Sequence, residues 1–129
     1  MKEETRIWID SAEQDLKTVE ILLQNIEAPP GIICFHCQLA AEKYLKAFLV
    51  DRDIEFQRTH DLLLLLEKYI LKIDKSFAAL KESAVSLTEF AISTRYPESS
   101  DSFDLGIARD AFHAMTMIRS FVLTRIKDD

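Results

Sequence analysis

The chain has 129 residues, of which 48% are hydrophobic and 29% charged, so it fits one folded domain and excludes a disordered tail. Two glycines and three prolines are too few for the frequent turns of a β-sandwich or barrel. The net charge of −6 excludes a generally basic nucleic-acid-binding protein, although it is compatible with a local basic patch. We therefore predict a single all-α domain, residues 1–129, of about five helices.

No segment has the pattern of a signal peptide, and no stretch approaches the about 18 uninterrupted apolar residues of a membrane span. The sequence thus predicts a cytoplasmic protein without a membrane helix. Its two cysteines are then expected to be reduced thiols.

The first predicted helix runs from about Glu4 to Ile26, because its apolar residues recur every three or four positions. That apolar face comprises Ile7, Trp8, Ala12, Leu16, Val19, Leu22, Leu23 and Ile26. Pro29 and Pro30 end the helix, since proline cannot continue the helical hydrogen-bond ladder.

The second predicted helix, from Gly31 to about Arg52, is apolar around most of its circumference. Its polar residues share the remaining half, and they are His36, Gln38, Glu42, Lys43 and Lys46. A helix this apolar should lie at the centre of a bundle, or between its own bundle and a partner. The helix also carries three large aromatic residues, Phe35, Tyr44 and Phe48. One small bundle should not bury all three, which predicts a homodimer.

Three further helices are expected. Thr59 should cap the third, which extends from Leu62 to Ile73; its leucine run is compatible with a strand, but the flanking charges favour a helix. The fourth should extend from about Lys75 to Thr94 and end near Arg95, Tyr96 and Pro97. The fifth should extend from about Phe103 to Lys127.

Cys34, His36 and Cys37 have the spacing of a metal or redox motif. A zinc site needs a second pair of ligands, which the sequence lacks. A thioredoxin-type cysteine pair needs a βαβ unit, and the sequence predicts no strands. A di-iron site needs two Glu-x-x-His motifs, for which only Asp110 before His113 comes near. We therefore predict two buried thiols, no metal and no cofactor.

Arg109 and His113 are four residues apart and should share one face of the fifth helix. Such a pair can hold a phosphate and move a proton during RNA cleavage, or it can be a surface pair without chemistry. His60 is interpreted as a helix-start residue satisfied by local bonds. Arg95 with Tyr96 is either a helix C-terminal arginine or a contact for a nucleotide phosphate.

Taken together, these segments resemble the HEPN family of small helical domains. Residues 34–47, CFHCQLAAEKYLKA, are similar to the family pattern Phe-His-x-Gln-x-Ala-Glu-Lys-x-Leu-Lys-Ala. Further matches follow in the family's order over essentially the whole chain: Trp8, Asp15-Leu16, His60-Asp61-Leu62 and Arg95-Tyr96-Pro97.

The resemblance implies an up-and-down helical bundle that commonly pairs as a homodimer and is often encoded beside a minimal nucleotidyltransferase in a toxin–antitoxin-like pair. Many members are ribonucleases with an Arg-x(4–6)-His motif, and others bind nucleotides without cutting. Only three residues separate Arg109 from His113 here, one short of that motif.

The sequence therefore predicts a non-catalytic accessory protein, a possible nucleotide binder and partner of a nucleotidyltransferase. Its nucleotide-binding or partner face should comprise His36, Gln38, Glu42, Lys43, Lys46, His60, Arg95 and Tyr96. The alternatives are a metal-independent ribonuclease toxin acting on RNA through Arg109 and His113, and a purely structural dimer.

Overall fold

The second helix lies at the centre of the fold, as its apolar sequence predicts. The computed structural model describes residues 1–93 and 104–126, and these form an up-and-down bundle without a strand in either range. Helix α2 (Pro30–Asp51) packs against α1 (Glu3–Leu23), α4 (Lys81–Ser93) and α5 (Leu105–Leu123). None of the helices in these ranges has the length and apolarity needed to cross a membrane.

Helix α1 buries a slightly different face from the one its periodicity predicts. Its buried residues are Thr5, Ile9, Ala12, Asp15 and Val19. Ile7 is 60% exposed, and Ile26 is 89% exposed because α1 already ends at Leu23 and the chain turns towards α2. The buried face includes a carboxylate, Asp15, which hydrophobic periodicity alone cannot place in a core.

Most of the apolar residues of α2 are covered by this chain itself. Tyr44 and Phe48 are fully buried in the single chain, and Phe35 is half-buried. A second copy is therefore not needed to bury Tyr44 and Phe48, because α1, α4 and α5 surround α2 on most sides, whereas Phe35 remains partly exposed. The homodimer remains a prediction that rests on the family resemblance.

Helix α2 ends in a Schellman motif that directs the next segment of chain. Asp53 has a φ of 59°, in the left-handed region that aspartate tolerates better than most residues. The Ile54 N–H donates to the Leu49 carbonyl at 2.9 Å, and the Asp53 N–H donates to the Val50 carbonyl at 3.1 Å. Residues 54–61, here called the pocket loop, follow without regular secondary structure.

The third helix, α3, is irregular where the sequence predicts a plain α-helix. One α-helical turn (Leu62–Leu64) is followed by a π-helical turn (Leu65–Tyr69) and a 3-10 turn (Ile70–Lys72). Its cap is Asp61, whose Oδ1 accepts from the Leu64 N–H at 3.2 Å, and not Thr59. Thr59 instead accepts from the Asp61 N–H at 3.1 Å, one step earlier along the chain.

The fourth predicted helix begins at Lys75 as expected, but its first six residues (Lys75–Leu80) form a 3-10 helix that continues into α4.

Asp104 caps α5 by accepting from the Ile107 N–H at 2.8 Å. Arg119 of α5 binds Glu13 of α1 through Nη2 and Oε1 at 3.0 Å, which joins two of the three helices that flank α2. The predicted ends of the fourth and fifth helices at Thr94, Phe103 and Lys127 lie outside the described residues.

The two cysteines should be inert in the folded protein. Cys34 and Cys37 are free and fully buried, and burial raises the pKa of Cys34 to about 11 and that of Cys37 even further above the ordinary value. At pH 8 we expect a thiol reagent to label neither cysteine until denaturant is added, and then to label both, because only the thiolate reacts.

The same pKa shifts set the direction of a pH dependence. Since the folded-state pKa values are raised, the stabilisation is complete below the ordinary value of 9.0 and declines as the pH rises through about 11 for Cys34. Denaturant unfolding at pH 8 and pH 10 measures this decline, which should be smaller in the Cys34→Ala/Cys37→Ala variant. Rapid labelling of the native protein, or zinc bound in stoichiometric amount, would contradict the prediction.

Candidate functional site

Three polar residues of α2 are buried in one row. Gln38, Glu42 and Lys46 are spaced four residues apart, so they lie above one another on one side of the helix. They are 1%, 5% and 6% exposed, respectively. Buried polar groups are costly unless they are hydrogen-bonded, so their partners decide what this side of α2 does.

Glu42 is the common acceptor for this row. Its Oε2 accepts from the Lys46 ammonium at 2.8 Å, and its Oε1 accepts from the Gln38 amide at 3.3 Å. His60 lies 2.8 Å from the same Oε1 through Nδ1, and that nitrogen must carry the proton because its partner is a carboxylate. The Gln38 amide also donates to the His60 carbonyl at 2.8 Å, so the two residues of α2 hold the end of the pocket loop. We call these four residues the Glu42 network.

The Lys46 ammonium lies between two aromatic rings. It is 5.7 Å from the centre of the Trp8 ring and 5.8 Å from that of Phe56. The two rings are 6.3 Å apart and meet edge to face. Cation–π attraction at these distances, together with the ion pair to Glu42, fixes a charged group that would otherwise be costly to bury.

These groups line an open pocket of about 570 Å³. We call it the Trp8 pocket, and its lining residues are Trp8, Lys46, Phe56, Arg58, Thr59 and His60. Helix α1, helix α2 and the pocket loop each contribute. No acidic residue within residues 1–93 and 104–126 lines it, and its lining includes the cationic side chains of Lys46 and Arg58. A ligand with an aromatic ring and a negative charge suits such a surface.

A second polar cluster joins α1 to α2. Asp15 accepts from His36 Nδ1 at 3.0 Å through Oδ1 and from the Lys43 ammonium at 2.7 Å through Oδ2. Asp15 is 11% exposed in its side chain, and the side chains of His36 and Lys43 are each about one-quarter exposed. This cluster satisfies the buried carboxylate of α1, and we interpret it as a brace between the helices.

The predicted site residues thus divide between two places. Gln38, Glu42, Lys46 and His60 form one network beside the pocket, whereas His36 and Lys43 bind Asp15. His60 is held by a residue 18 positions earlier and not by local bonds, so the local interpretation of His60 is wrong. Arg95 and Tyr96 lie outside the described residues.

Sequence reasoning did not assign Phe56, Arg58 and Thr59 to the site. They lie in the pocket loop, which has no periodicity from which side-chain direction can be read. The usable signal was the presence of an arginine two residues before His60, within a segment that also contains an aromatic residue.

Arg109 and His113 are both exposed on α5, one helical turn apart as the sequence predicts. Neither residue lines the Trp8 pocket, whose walls come from other elements. Within the two described ranges, no group of three or more His, Cys, Asp or Glu side chains is arranged to hold a metal ion.

Comparison with known proteins agrees with the family resemblance. A model of the HEPN domain matches residues 5–126. The crystal structure of an archaeal HEPN homologue is similar at 25% identity and a TM-score of 0.78, over 98% of this chain and 100% of that one. A crystal structure from Thermus thermophilus shares the fold at 24% identity and a TM-score of 0.80, over 95% and 98% of the two chains. No curated protein matches the chain.

Removal of the Glu42 carboxylate should destabilise the protein strongly. We expect Glu42→Ala to lower the free energy of unfolding by about 3–5 kcal/mol, because the Lys46 ammonium is then buried without its counter-charge. Denaturant unfolding followed by circular dichroism measures the change.

The matched control is Glu67→Ala. Glu67 pairs with Lys81 at 3.5 Å, but the two side chains are 53% and 45% exposed, so the expected loss is at most about 1 kcal/mol. Equal losses of unfolding free energy for the two variants would show that the buried Glu42 network stabilises the protein no more than an exposed ion pair does.

Proposed function

The chain belongs to the HEPN domain family, and on that premise we propose that it is a non-cleaving HEPN protein that binds a nucleotide in the Trp8 pocket and acts as the accessory partner of a minimal nucleotidyltransferase. The observation that carries the proposal is the Trp8 pocket itself, in which two aromatic rings stand beside cationic donors and no carboxylate from the described part of the chain lines the wall.

The pocket offers one kind of contact for the base of a nucleotide and another for its phosphate. Stacking of a base on an aromatic side chain contributes about 1–3 kcal/mol in nucleic-acid-binding proteins, and Trp8 supplies the largest such ring. The Arg58 guanidinium presents several donors in a plane that suits phosphate oxygens, and the exposed ring of His60 stands next to it in the wall.

The Glu42 network supports this use of the pocket. A free carboxylate at this position would repel a phosphate, but the Glu42 oxygens are occupied by Lys46, Gln38 and His60 and are buried. The site therefore keeps its cationic surface although the chain as a whole has a net charge of −6. Local arrangement, and not bulk charge, favours an anionic ligand here.

The role as accessory partner rests on the resemblance to HEPN proteins encoded beside a nucleotidyltransferase. A protein that holds a nucleotide without transforming it suits a partner that uses nucleotides as substrates. A nucleotidyltransferase gene next to the gene for this chain would support this part of the proposal, and so would co-purification of the two products.

The alternative is a metal-independent ribonuclease that acts on RNA through Arg109 and His113. The exposure of both side chains on one turn of α5 is the observation in its favour. Against it, only three residues separate Arg109 from His113, whereas the family motif has four to six. Each additional residue would rotate the histidine by about 100° around the helix axis relative to the arginine.

Nucleotide binding can be followed through Trp8, the only tryptophan of the chain. Titration with adenosine and guanosine 5′-phosphates should change the fluorescence of Trp8 in a saturable way, because the base stacks on the indole. Arg58→Ala should weaken binding at least tenfold through loss of a charge-assisted contact worth about 1.5–3 kcal/mol.

The control is Arg109→Ala, which removes the same charge from an exposed arginine outside the pocket and should leave the dissociation constant within about twofold. Titration with inorganic phosphate tests whether the anion alone is sufficient. If no nucleotide changes the fluorescence of the wild-type protein, and calorimetry also detects no heat of binding, nucleotide binding in this pocket is refuted.

We expect the isolated protein not to cleave single-stranded RNA. The measurement is incubation of purified protein with a labelled RNA, beside Arg109→Ala and His113→Ala preparations made in the same way. Cleavage by the wild-type protein that both substitutions abolish would establish the ribonuclease alternative instead.

A further inference from the structure

The π-helical turn of α3 has a consequence for the Trp8 pocket. The Ile70 N–H, which follows this turn, bonds to the carbonyls of both Leu65 and Leu66, so one extra residue is accommodated within the turn. Single π-helical turns of this kind are rare, and they occur frequently at functional sites. This one ends at Tyr69.

The extra residue changes the direction of Tyr69. In an uninterrupted α-helix, position 69 would share a face with Leu65 and Leu66, which are fully buried in the core. Tyr69 is instead only half-buried, with φ −122° and ψ −57°, away from the usual helical values. Ile70 is the fully buried residue at this point of the helix. The tyrosine ring is thereby free to contact the pocket loop.

Tyr69 makes that contact through its hydroxyl oxygen. The oxygen accepts from the backbone N–H of Gln57 at 3.0 Å. The neighbouring Lys68 donates to the side-chain oxygen of Gln57 at 2.5 Å and lies 5.5 Å from the centre of the Tyr69 ring. Gln57 is therefore held to α3 by its backbone and by its side chain. It stands between Phe56 and Arg58, two residues of the pocket wall.

The loop is held at a second place three residues later. Gln38 donates to the carbonyl of His60 at 2.8 Å, and Glu42 binds the His60 ring. Arg58 and Thr59 lie between these two attachments, one made by α3 and the other by α2. Two fixed ends leave the short stretch between them few alternative conformations, which lowers the ordering cost when a ligand binds.

We propose that Tyr69 is a positioning residue for the Trp8 pocket: its hydroxyl, directed by the π-helical turn, holds Gln57 so that the Arg58 side chain is presented to the ligand. The inference rests on the proposed nucleotide binding and names a residue that does not itself line the pocket. Tyr69 acts on affinity through the loop, and it adds no charge to the site.

The test is Tyr69→Phe, which removes one oxygen and keeps the ring under Lys68. Loss of one uncharged hydrogen bond, typically about 1 kcal/mol net, predicts roughly fivefold weaker nucleotide binding and roughly fivefold faster hydrogen exchange at the Gln57 amide. Binding should keep the wild-type dependence on salt concentration, because every cation remains. Arg58→Ala should instead reduce that dependence, because it removes a cation that contacts the phosphate.

The matched control is Tyr44→Phe. The Tyr44 hydroxyl is buried in the core near Glu13 and Arg119, and Tyr44 does not line the pocket, so its removal should leave nucleotide affinity and exchange at Gln57 unchanged. Thermal unfolding of all three variants verifies that each is folded at the temperature of the titration.

The outcomes separate the two proposals. If the wild-type protein binds a nucleotide and Tyr69→Phe binds it equally well, Tyr69 has no positioning role, although the proposed function stands. If Tyr69→Phe weakens binding by the same factor in the Arg58→Ala background, or without faster exchange at the Gln57 amide, the hydroxyl does not act by presenting Arg58 and the positioning role is wrong. If the wild-type protein binds no nucleotide, the proposed function fails and the role of Tyr69 fails with it.

Discussion

The buried carboxylate of Glu42 is the constraint on which this side of the molecule depends. A charge at 6% side-chain exposure must be compensated, and its three partners come from the same helix and from a loop that starts after that helix ends. The requirement to satisfy one carboxylate therefore decides where Lys46 points and where His60 lies. The aromatic residues Trp8 and Phe56 then enclose the ammonium that Glu42 holds.

The pocket loop links fold and site. It has no regular secondary structure, yet its start is set by the Schellman motif at Asp53 and its end by the Asp61 cap. Between these points it is bound by Tyr69 and by Gln38. A loop held in this way behaves as part of the scaffold, which suits a binding site whose walls must be in place before the ligand arrives.

The family likeness and the site carry different information. The HEPN bundle is shared with the archaeal homologue over nearly the whole of both chains. Folds of this kind host several activities, so function has to be argued from the side chains. Here those side chains form an aromatic and cationic pocket on one part of the surface, whereas the Arg109 and His113 pair lies on α5, away from the pocket walls.

The sequence by itself determined the helical class, the central place of α2, the burial of Cys34 and Cys37, and the pairing of Glu42 with Lys46, because each follows from composition or from the residues of a single helix. Only the tertiary structure decided that Ile9 and not Ile7 is buried in α1, and that a single chain covers Tyr44 and Phe48 of α2. It also decided that His60 binds Glu42 across 18 residues and that a π-helical turn directs Tyr69 to the loop. Helical periodicity fixes which residues share a face, but the rotation of that face and the path of an aperiodic loop depend on contacts between residues distant in the chain.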